Sequence, residues 1–315
     1  MSAKPAAVIV LMAVLASLPA APAAAKHRRV KHSHTVISQV DVKRDYAFKA
    51  ESASAISVCA RATNLGTGAS SRGAELIMAL LTPNGDTEIV ARRDMPQLPG
   101  RTPAKRGHPG RHFRVDVCAR GSGALNLPLG AYGTQVCFSD SNSEGRGGCQ
   151  YCRGKCFFIG KRTWTGTAGG TQTSPDDNQS WQAGAVTFTF ARYMALGQFT
   201  YSINRASVNY QHTTTRSFCT SVGAGTVSAS TGELRIDYSS GGYDIEGEVP
   251  SDATVPATVN CPGVSTSSDA SVQSTFLDDG SALTPLPAYG GNERLAQSYS
   301  YGAGPGSLQY HWDFG

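Results

Sequence analysis

The sequence lacks the short motifs that mark the common enzyme classes. It contains no G-x-S-x-G nucleophile elbow, no H-E-x-x-H metal motif, no phosphate-binding P-loop and no dinucleotide-binding glycine fingerprint. After residue 25, no apolar run approaches the roughly 18 residues that a membrane-spanning helix needs. These absences disfavour an enzyme, a cofactor and a transmembrane segment, and they leave binding, adhesion and structural roles as the classes to weigh.

Lysine is absent from the second half of the chain, since none follows Lys161. Residues 26–165 hold 22 basic and 10 acidic side chains, a net charge of +12, whereas residues 166–315 hold 5 and 13, a net charge of −8. This asymmetry suggests two units, of which the basic one would attract polyanions. The alternatives are that the two halves attract each other, or that the charge only aids solubility.

The first 25 residues have the layout of a secretory signal peptide. Lys4 gives a positive start, residues 6–18 form an apolar run, and Ala23-Ala24-Ala25 supplies a cleavage site. We therefore expect an exported chain, secreted or periplasmic, whose mature form begins at Lys26. Residues 26–34, rich in Lys, Arg and His, are predicted to form a basic disordered leader.

Short alternating segments separated by glycine-rich turns predict an all-β fold. Within residues 35–160, about seven short strands in roughly 120 residues favour an immunoglobulin-like β-sandwich. The clearest of these strands are predicted at residues 35–42, 54–62, 74–81, 87–92, 112–119 and 131–139.

Residues 162–315 alternate more cleanly, and large apolar side chains share one face of each predicted strand. Examples are Phe199 with Tyr201, and Tyr310 with Trp312 and Phe314. We predict an acidic antiparallel β domain, built as a second β-sandwich or a partly closed β-barrel. The aromatic stripes would form its core or, alternatively, line a ligand-accepting opening.

The eight cysteines all follow the predicted signal peptide, so export would bring them into an oxidising compartment. Strand phase places Cys59 and Cys118 on the outward faces of neighbouring strands, where a cross-strand disulfide can form. Cys219 and Cys261 are the only cysteines of the acidic half. We predict the bonds Cys59–Cys118 and Cys219–Cys261.

The other four cysteines are Cys137 and a C-x2-C-x3-C cluster at Cys149, Cys152 and Cys156. A zinc knuckle or a redox pair could use such spacing, but an exported location favours structural disulfides. We predict no metal site and favour the bonds Cys137–Cys156 and Cys149–Cys152, while the pairing within this group stays open.

A basic segment runs from residue 92 to residue 114 and contains only one acid, Asp94, and four prolines. Guanidinium groups at this density favour phosphate, sulfate or carboxylate partners. Because aromatic residues are nearly absent from it, we expect no specific nucleic-acid binding. The alternative is a long solvated loop. The candidate anion-binding residues are Arg92, Arg93, Arg101, Lys105, Arg106, Arg111 and Arg114.

Three turn motifs within residues 35–145 resemble those of bacterial cell-adhesion-related (CARDB-type) immunoglobulin-like domains. They are Asn64-Leu65-Gly66-Thr67-Gly68, Leu127-Pro128-Leu129-Gly130-Ala131-Tyr132 and Asp140-Ser141-Asn142-Ser143-Glu144. The resemblance implies an adhesion or spacer module.

The leading expectation is therefore an exported, non-catalytic binding or adhesion protein of the bacterial envelope or extracellular space, whose basic part contacts anionic polymers. A secreted, glycosidase-like hydrolase that uses acidic groups of the second half is the alternative, and a purely structural spacer is a third. The candidate carboxylates are at Asp176-Asp177, Asp278-Asp279 and, along one strand, Asp244, Glu246 and Glu248. A cleft that brings two of them together would favour the hydrolase.

Overall fold

The structure, a computed structural model, confirms the all-β fold class. It describes residues 35–42, 44–64, 74–102, 105–107, 110, 113–140, 148–280, 283–302 and 306–315. The predicted signal peptide and basic leader lie outside these residues. No helix in the described part of the chain is long and apolar enough to cross a membrane.

The first part of the chain contains eight strands. They are β1 (Thr35–Val42), β2 (Tyr46–Phe48), β3 (Ser57–Asn64), β4 (Ala74–Leu81), β5 (Thr87–Asp94), β6 (Phe113–Arg120), β7 (Gly130–Asp140) and β8 (Gly148–Gly160).

The second part contains twelve strands. They are β9 (Thr163–Thr173), β10 (Asp177–Met194), β11 (Gln198–Arg216), β12 (Cys219–Ser228), β13 (Thr231–Asp237), β14 (Gly242–Glu248), β15 (Thr254–Cys261), β16 (Val264–Ser271), β17 (Thr275–Asp278), β18 (Thr284–Pro285), β19 (Leu295–Tyr301) and β20 (Ser307–Phe314).

Strands β1 to β8 form an immunoglobulin-like sandwich. One sheet has the order β1-β3-β6 and the other β2-β8-β7-β4-β5. These are the pairings of immunoglobulin strands A, B and E in one sheet and of C, F and G in the other. Tyr132, at the start of β7, donates its hydroxyl hydrogen to Pro128 O at 2.5 Å. That bond reproduces the tyrosine corner that closes the turn into strand F of such sandwiches.

The sequence pattern predicted the strand positions well, with three differences. The strand expected at 54–62 begins only at Ser57, because Ala53–Ala55 forms a 3₁₀ turn capped by the Ser52 side chain. β2 was missed because three residues are too few to show alternation, and it pairs with β8 in parallel. The cysteine cluster lies on β8, a strand that was not among those predicted from the alternation.

Strands β9 to β20 form one large antiparallel sheet. β11 is long enough to pair with β12 along its second half and with β13 along its first. The register of β10 shifts beside Ala185, which has a φ of 53°, so the long strands bend and the sheet curls over its own core. Trp181 Nε1 donates across that core to Phe276 O at 2.8 Å. The aromatic stripes of the sequence are therefore core: Tyr201 and Phe199 are fully buried.

The two parts of the molecule share residues at their junction. Phe48 of β2 and Phe158 of β8 belong to the hydrophobic core of the large sheet, although their strands belong to the sandwich. Gly160 lies against the Phe199 ring and Gly197 against the Phe158 ring, each so close that a Cβ would clash. The division at residues 160–162 into two domains stays a prediction.

Candidate functional site

The basic segment joins the edge strands of the two facing sheets of the sandwich. It leaves β5, the edge of the five-stranded sheet, and enters β6, the edge of the three-stranded one. Met95 and Leu98 are buried, and Asn64 Nδ2 donates to Leu98 O at 3.3 Å. The start of the segment is thus anchored on the sandwich core, which the pattern of prolines alone did not indicate.

The predicted anion-binding residues differ in how much of their charge is available. Arg92 Nη1 lies 2.9 Å from Glu75 Oε2, so its charge is already paired. Four of the side chains are exposed and have no acidic partner among the described residues: Arg93, Lys105, Arg106 and Arg114. Arg101 is half-buried, and Arg111 lies outside the described residues. The structure presents these groups on a surface and not in a pocket.

The carboxylates of the second part come together at two places, and neither is a pair that adjoins in sequence. Glu246 and Glu248 line an open surface cavity of about 380 Å³ with Glu233, which lies opposite Glu246 in the sheet. The other place is enclosed. Asp279 is 3% exposed and lies beside Asp244, which β14 contributes. Burial and, next, the Asp244 carboxylate raise the pKa of Asp279 to about 7. Thr284 Oγ1 donates to Asp279 Oδ2 at 3.3 Å. Asp279 therefore keeps its proton up to about neutral pH, in an enclosed position.

Several of the predicted carboxylates serve local structure. Asp278 Oδ1 accepts a hydrogen bond from Gly280 N at 2.7 Å, which closes the turn after β17. Arg235 Nη1 lies 3.3 Å from Asp244 Oδ2 and also pairs with Glu233 on its own strand. Glu248 accepts a bond from Thr231 Oγ1 at 3.3 Å. Burial also raises the pKa of Glu246, so Asp279 is not alone in holding its proton more tightly than an ordinary carboxyl group.

A buried histidine cluster was not anticipated from the sequence. His212 Nε2 lies 2.5 Å from Asp177 Oδ1 and 3.0 Å from Thr214 Oγ1. In a Ser-His-Asp relay, the acid and the nucleophile contact opposite ring nitrogens, whereas here Asp177 and Thr214 contact the same one. His212 Nδ1 is buried and has no partner among the described residues. The arrangement joins β10 to β11 but does not form a relay.

A cavity of about 240 Å³ lies where the two parts of the molecule meet. Five segments distant in sequence build its wall, which is why no local motif indicated it. Its residues include Leu129, Trp164, Tyr238, Leu286, Tyr289 and Glu293.

Ion pairs and hydrogen bonds stabilise the wall of this cavity. Glu293 Oε1 accepts from Lys49 Nζ at 2.6 Å and from Leu129 N at 3.3 Å. Lys161 Nζ donates to Glu293 O at 3.2 Å and lies 4.5 Å from the centre of the Trp164 ring. Burial lowers the pKa of Lys161. The contacts join the residues directly after β2 and β8 to the segment that precedes β19, so the cavity is part of a fixed junction.

Two of the predicted disulfides are confirmed. One was predicted from strand phase, and the other because its two cysteines are the only ones in the acidic half. Cys59–Cys118 and Cys219–Cys261 link strands at Cα–Cα distances of 4.0 and 4.3 Å. The register places Cys59 directly opposite Cys118.

The predicted bond Cys137–Cys156 is wrong. Cys137 is disulfide-bonded, whereas Cys156 carries a free, exposed thiol. In the register of β7 and β8, Cys156 lies opposite Gly133, four residues from Cys137. That offset is roughly 13 Å along a strand, beyond the reach of about 7 Å between bridged Cα atoms. The side chains of the predicted Cys149–Cys152 bond lie outside the described residues.

The described residues contain no group of three or more His, Cys, Asp or Glu side chains placed to hold a metal ion. Neither a protein-family model nor a curated protein sequence matches this chain.

Proposed function

We propose that the protein is an exported, non-catalytic binding or adhesion protein, whose sandwich contacts anionic polymers through the basic segment of residues 92–114. Its setting would be the bacterial envelope or the extracellular space. Two disulfides in the described residues are compatible with export, because such bonds persist in oxidising compartments.

One observation carries the proposal. The exposed cations Arg93, Lys105, Arg106 and Arg114 lie on or between two adjoining strand edges, and no described carboxylate neutralises them. By contrast, Arg61 on the same sandwich is held by two hydrogen bonds to Asp116, at 2.8 and 3.1 Å. Unpaired guanidinium groups remain available for the forked hydrogen bonds that sulfate, phosphate and carboxylate accept.

The test is retention of the folded protein on an immobilised polyanion. Replacement of Arg93, Lys105, Arg106 and Arg114 by Gln should bring elution down to the lowest salt concentration, because such contacts are screened by salt. A matched control removes the same charge elsewhere, and its retention should change little. The control positions are the exposed Arg120, Arg192, Arg205 and Arg216. Equal losses in both variants would contradict a localised site and would leave a spacer as the simpler role.

A hydrolase is the second candidate, and the Asp244–Asp279 pair is the observation that favours it. A carboxyl group with a pKa near 7 could donate a proton. However, Asp279 is 3% exposed, and glycoside hydrolysis needs carboxyls about 5 Å or more apart with a sugar ring between them. Release of reducing ends from a polysaccharide by the wild type, and its loss in Asp279→Asn, would reverse our ranking.

A further inference from the structure

Two neighbouring hairpins of the large sheet extend beyond its core. One consists of β11 and β12, the other of β15 and β16, and β12 pairs with β15 between them. None of residues 213–222 or 258–269 is buried, whereas His212 and Ala257, just behind them, are. This four-stranded stretch is therefore exposed on both of its faces, and we call it the projection.

Apolar side chains stand at the two tips of the projection. Phe218, in the two-residue turn between β11 and β12, is 86% exposed, and Val264, at the start of β16, is 59% exposed. Positive φ angles at Ser217 (53°) and Gly263 (80°) form the two tight turns. Exposure of a phenylalanine side chain to water is unfavourable, so a partner that covers Phe218 would be bound with a favourable free energy.

The Cys219–Cys261 disulfide lies immediately behind both tips. Thr220 is paired with Asn260, so the next residues outward, the two cysteines, face each other across β12 and β15. The bond holds the two tips in a fixed relation where no hydrophobic core supports them. A covalent link at this place preserves the shape of a contact surface.

The polarity of the projection changes abruptly behind the tips. The projection holds one carboxylate, the exposed Asp269 at the inner end of its range, and residues 213–222 and 258–268 hold none. The exposed Asp176, directly before β10, adjoins the projection, since its carbonyl oxygen accepts from Thr215 N at 2.9 Å.

Apart from Val222 and Val259, the stems of the projection consist mostly of Thr, Ser and Asn. Within residues 213–222 and 258–268 the one charged residue is Arg216, which is exposed beside Phe218. The tips are thus apolar, the adjoining charge is positive, and the stems are hydrophilic.

We propose that the projection is a membrane-contact site, which inserts Phe218 and Val264 into the interface of a phospholipid bilayer and places Arg216 among the headgroup phosphates. A bilayer presents the matching step from apolar to polar over about 5–10 Å. Phenylalanine is among the side chains that interfacial segments bury at that boundary, and Arg216 at the tip can pair with anionic headgroups, since the nearest carboxylates, Asp176 and Asp269, lie behind the tips. A protein groove would instead contact the sides of the stems, which offer little apolar surface.

The proposal rests on residues other than those of the anion-binding segment. Two side chains at a bilayer surface give weak and reversible attachment, so binding belongs at millimolar lipid concentrations. The test is co-sedimentation of the full protein with vesicles of phosphatidylcholine alone and of phosphatidylcholine with phosphatidylglycerol. Wild type should partition onto both, and more onto the anionic vesicles.

Phe218→Ser should reduce partitioning roughly 10- to 100-fold, which corresponds to the loss of one buried aromatic side chain. The matched control is Leu196→Ser, because Leu196 is 69% exposed in the turn at the opposite end of β11. The control should bind as wild type does. Absence of wild-type binding, unchanged binding of Phe218→Ser, or equal loss in the control would each overturn the proposal.

A fluorescence measurement locates the contact independently. In Phe218→Trp the new indole should be quenched by vesicles of brominated lipid, whereas Trp164, Trp181 and Trp312, at 2–3% exposure, should not respond. Leu196→Trp should show no quenching, and equal quenching in both variants would contradict insertion at the tips.

Anion binding by the basic segment and membrane contact by the projection can be tested separately. Phe218→Ser should keep its retention on the polyanion column, and the four-residue Gln variant of the basic segment should keep its binding to neutral vesicles. Loss of neutral-vesicle binding in that Gln variant would place the lipid contact on the sandwich and overturn the projection as its site.

Discussion

The sandwich and the curled sheet are both antiparallel β structures, but their cores are built from different side chains. The sandwich core consists mainly of small and aliphatic residues, such as Val58, Ala60 and Leu76. The core of the large sheet holds all three tryptophans, and two of their indole groups donate hydrogen bonds within it, Trp181 to Phe276 O and Trp312 to Tyr243 Oη. The first core is therefore filled chiefly by aliphatic packing, with the buried donors Tyr132 and Asn64 bonded to backbone carbonyls, whereas the second is filled chiefly by aromatic rings, some of which are also bonded to one another.

The disulfides of the two regions also differ in their surroundings. Cys59 and Cys118 lie on strands whose alternate residues, such as Val58 and Val117, are buried in the sandwich core. Cys219 and Cys261 lie on the projection, where no residue is buried. The Cys59–Cys118 bond adds to the packing of a hydrophobic core, whereas the Cys219–Cys261 bond stabilises a region that has no such core. The comparison indicates that the same covalent device stabilises the whole fold in one region and a local shape in the other.

The largest expected effect lies in the aromatic core. Trp181→Ala should lower the free energy of unfolding by about 3–5 kcal/mol, because it opens a cavity and leaves Phe276 O without its donor. Trp181→Phe should recover most of the packing but not the hydrogen bond. Chemical denaturation of the three proteins checks this. If both variants lost equal stability, the hydrogen bond and not the volume would dominate, and the contrast between the cores would sharpen.

The disulfides provide the next test. Replacement of either cysteine pair by serine should cost about 2–4 kcal/mol, since the bonds close spans of 59 and 42 residues. Hydrogen exchange should separate them. Loss of Cys219–Cys261 should speed exchange chiefly in residues 213–222 and 258–264, whereas loss of Cys59–Cys118 should act on the sandwich as a whole. Equal, global acceleration in both variants would contradict the local role of the second bond.

The smallest effect concerns the carboxyl pair. The pKa of Asp279, about 7 in the fold, lies above the ordinary value of 3.8, so the folded state binds the extra proton. The resulting stability is fully present below about pH 4 and is lost as pH rises through 7, by about 2–3 kcal/mol between pH 5 and pH 8. Asp279→Asn keeps the shape and removes the titration. Urea unfolding at both pH values should show a flatter profile in the variant, and parallel profiles would refute the assignment.

Much of the fold could be predicted from the sequence because period-two alternation reports directly which face of a strand is buried. That phase argument also placed Cys59 opposite Cys118. It could not place Cys156, because register along β7 and β8 depends on pairing between strands and not on the pattern within either one.

The candidate sites were harder to predict from the sequence, because they too depend on pairing between strands. Arg92 is neutralised by Glu75 only because β4 and β5 bring them within one diagonal step. Asp279 meets Asp244 across strands 35 residues apart in the chain, whereas sequence proximity had suggested Asp278 as its partner. Contacts that decide charge and proton affinity here are long-range, and local composition does not encode them.

The position of Phe48 has a mechanical consequence. Its strand, β2, is hydrogen-bonded to β8 of the sandwich, yet the ring is packed in the core of the large sheet. A force that pulls the two parts of the molecule apart must therefore shear the parallel β2–β8 ladder or extract the ring from the other core. Arg162 lies over that ring at 4.5 Å, and Lys49, the next residue, is ion-paired to Glu293. Under tension the junction should therefore rupture in one step, and the two parts should not rotate freely about it beforehand.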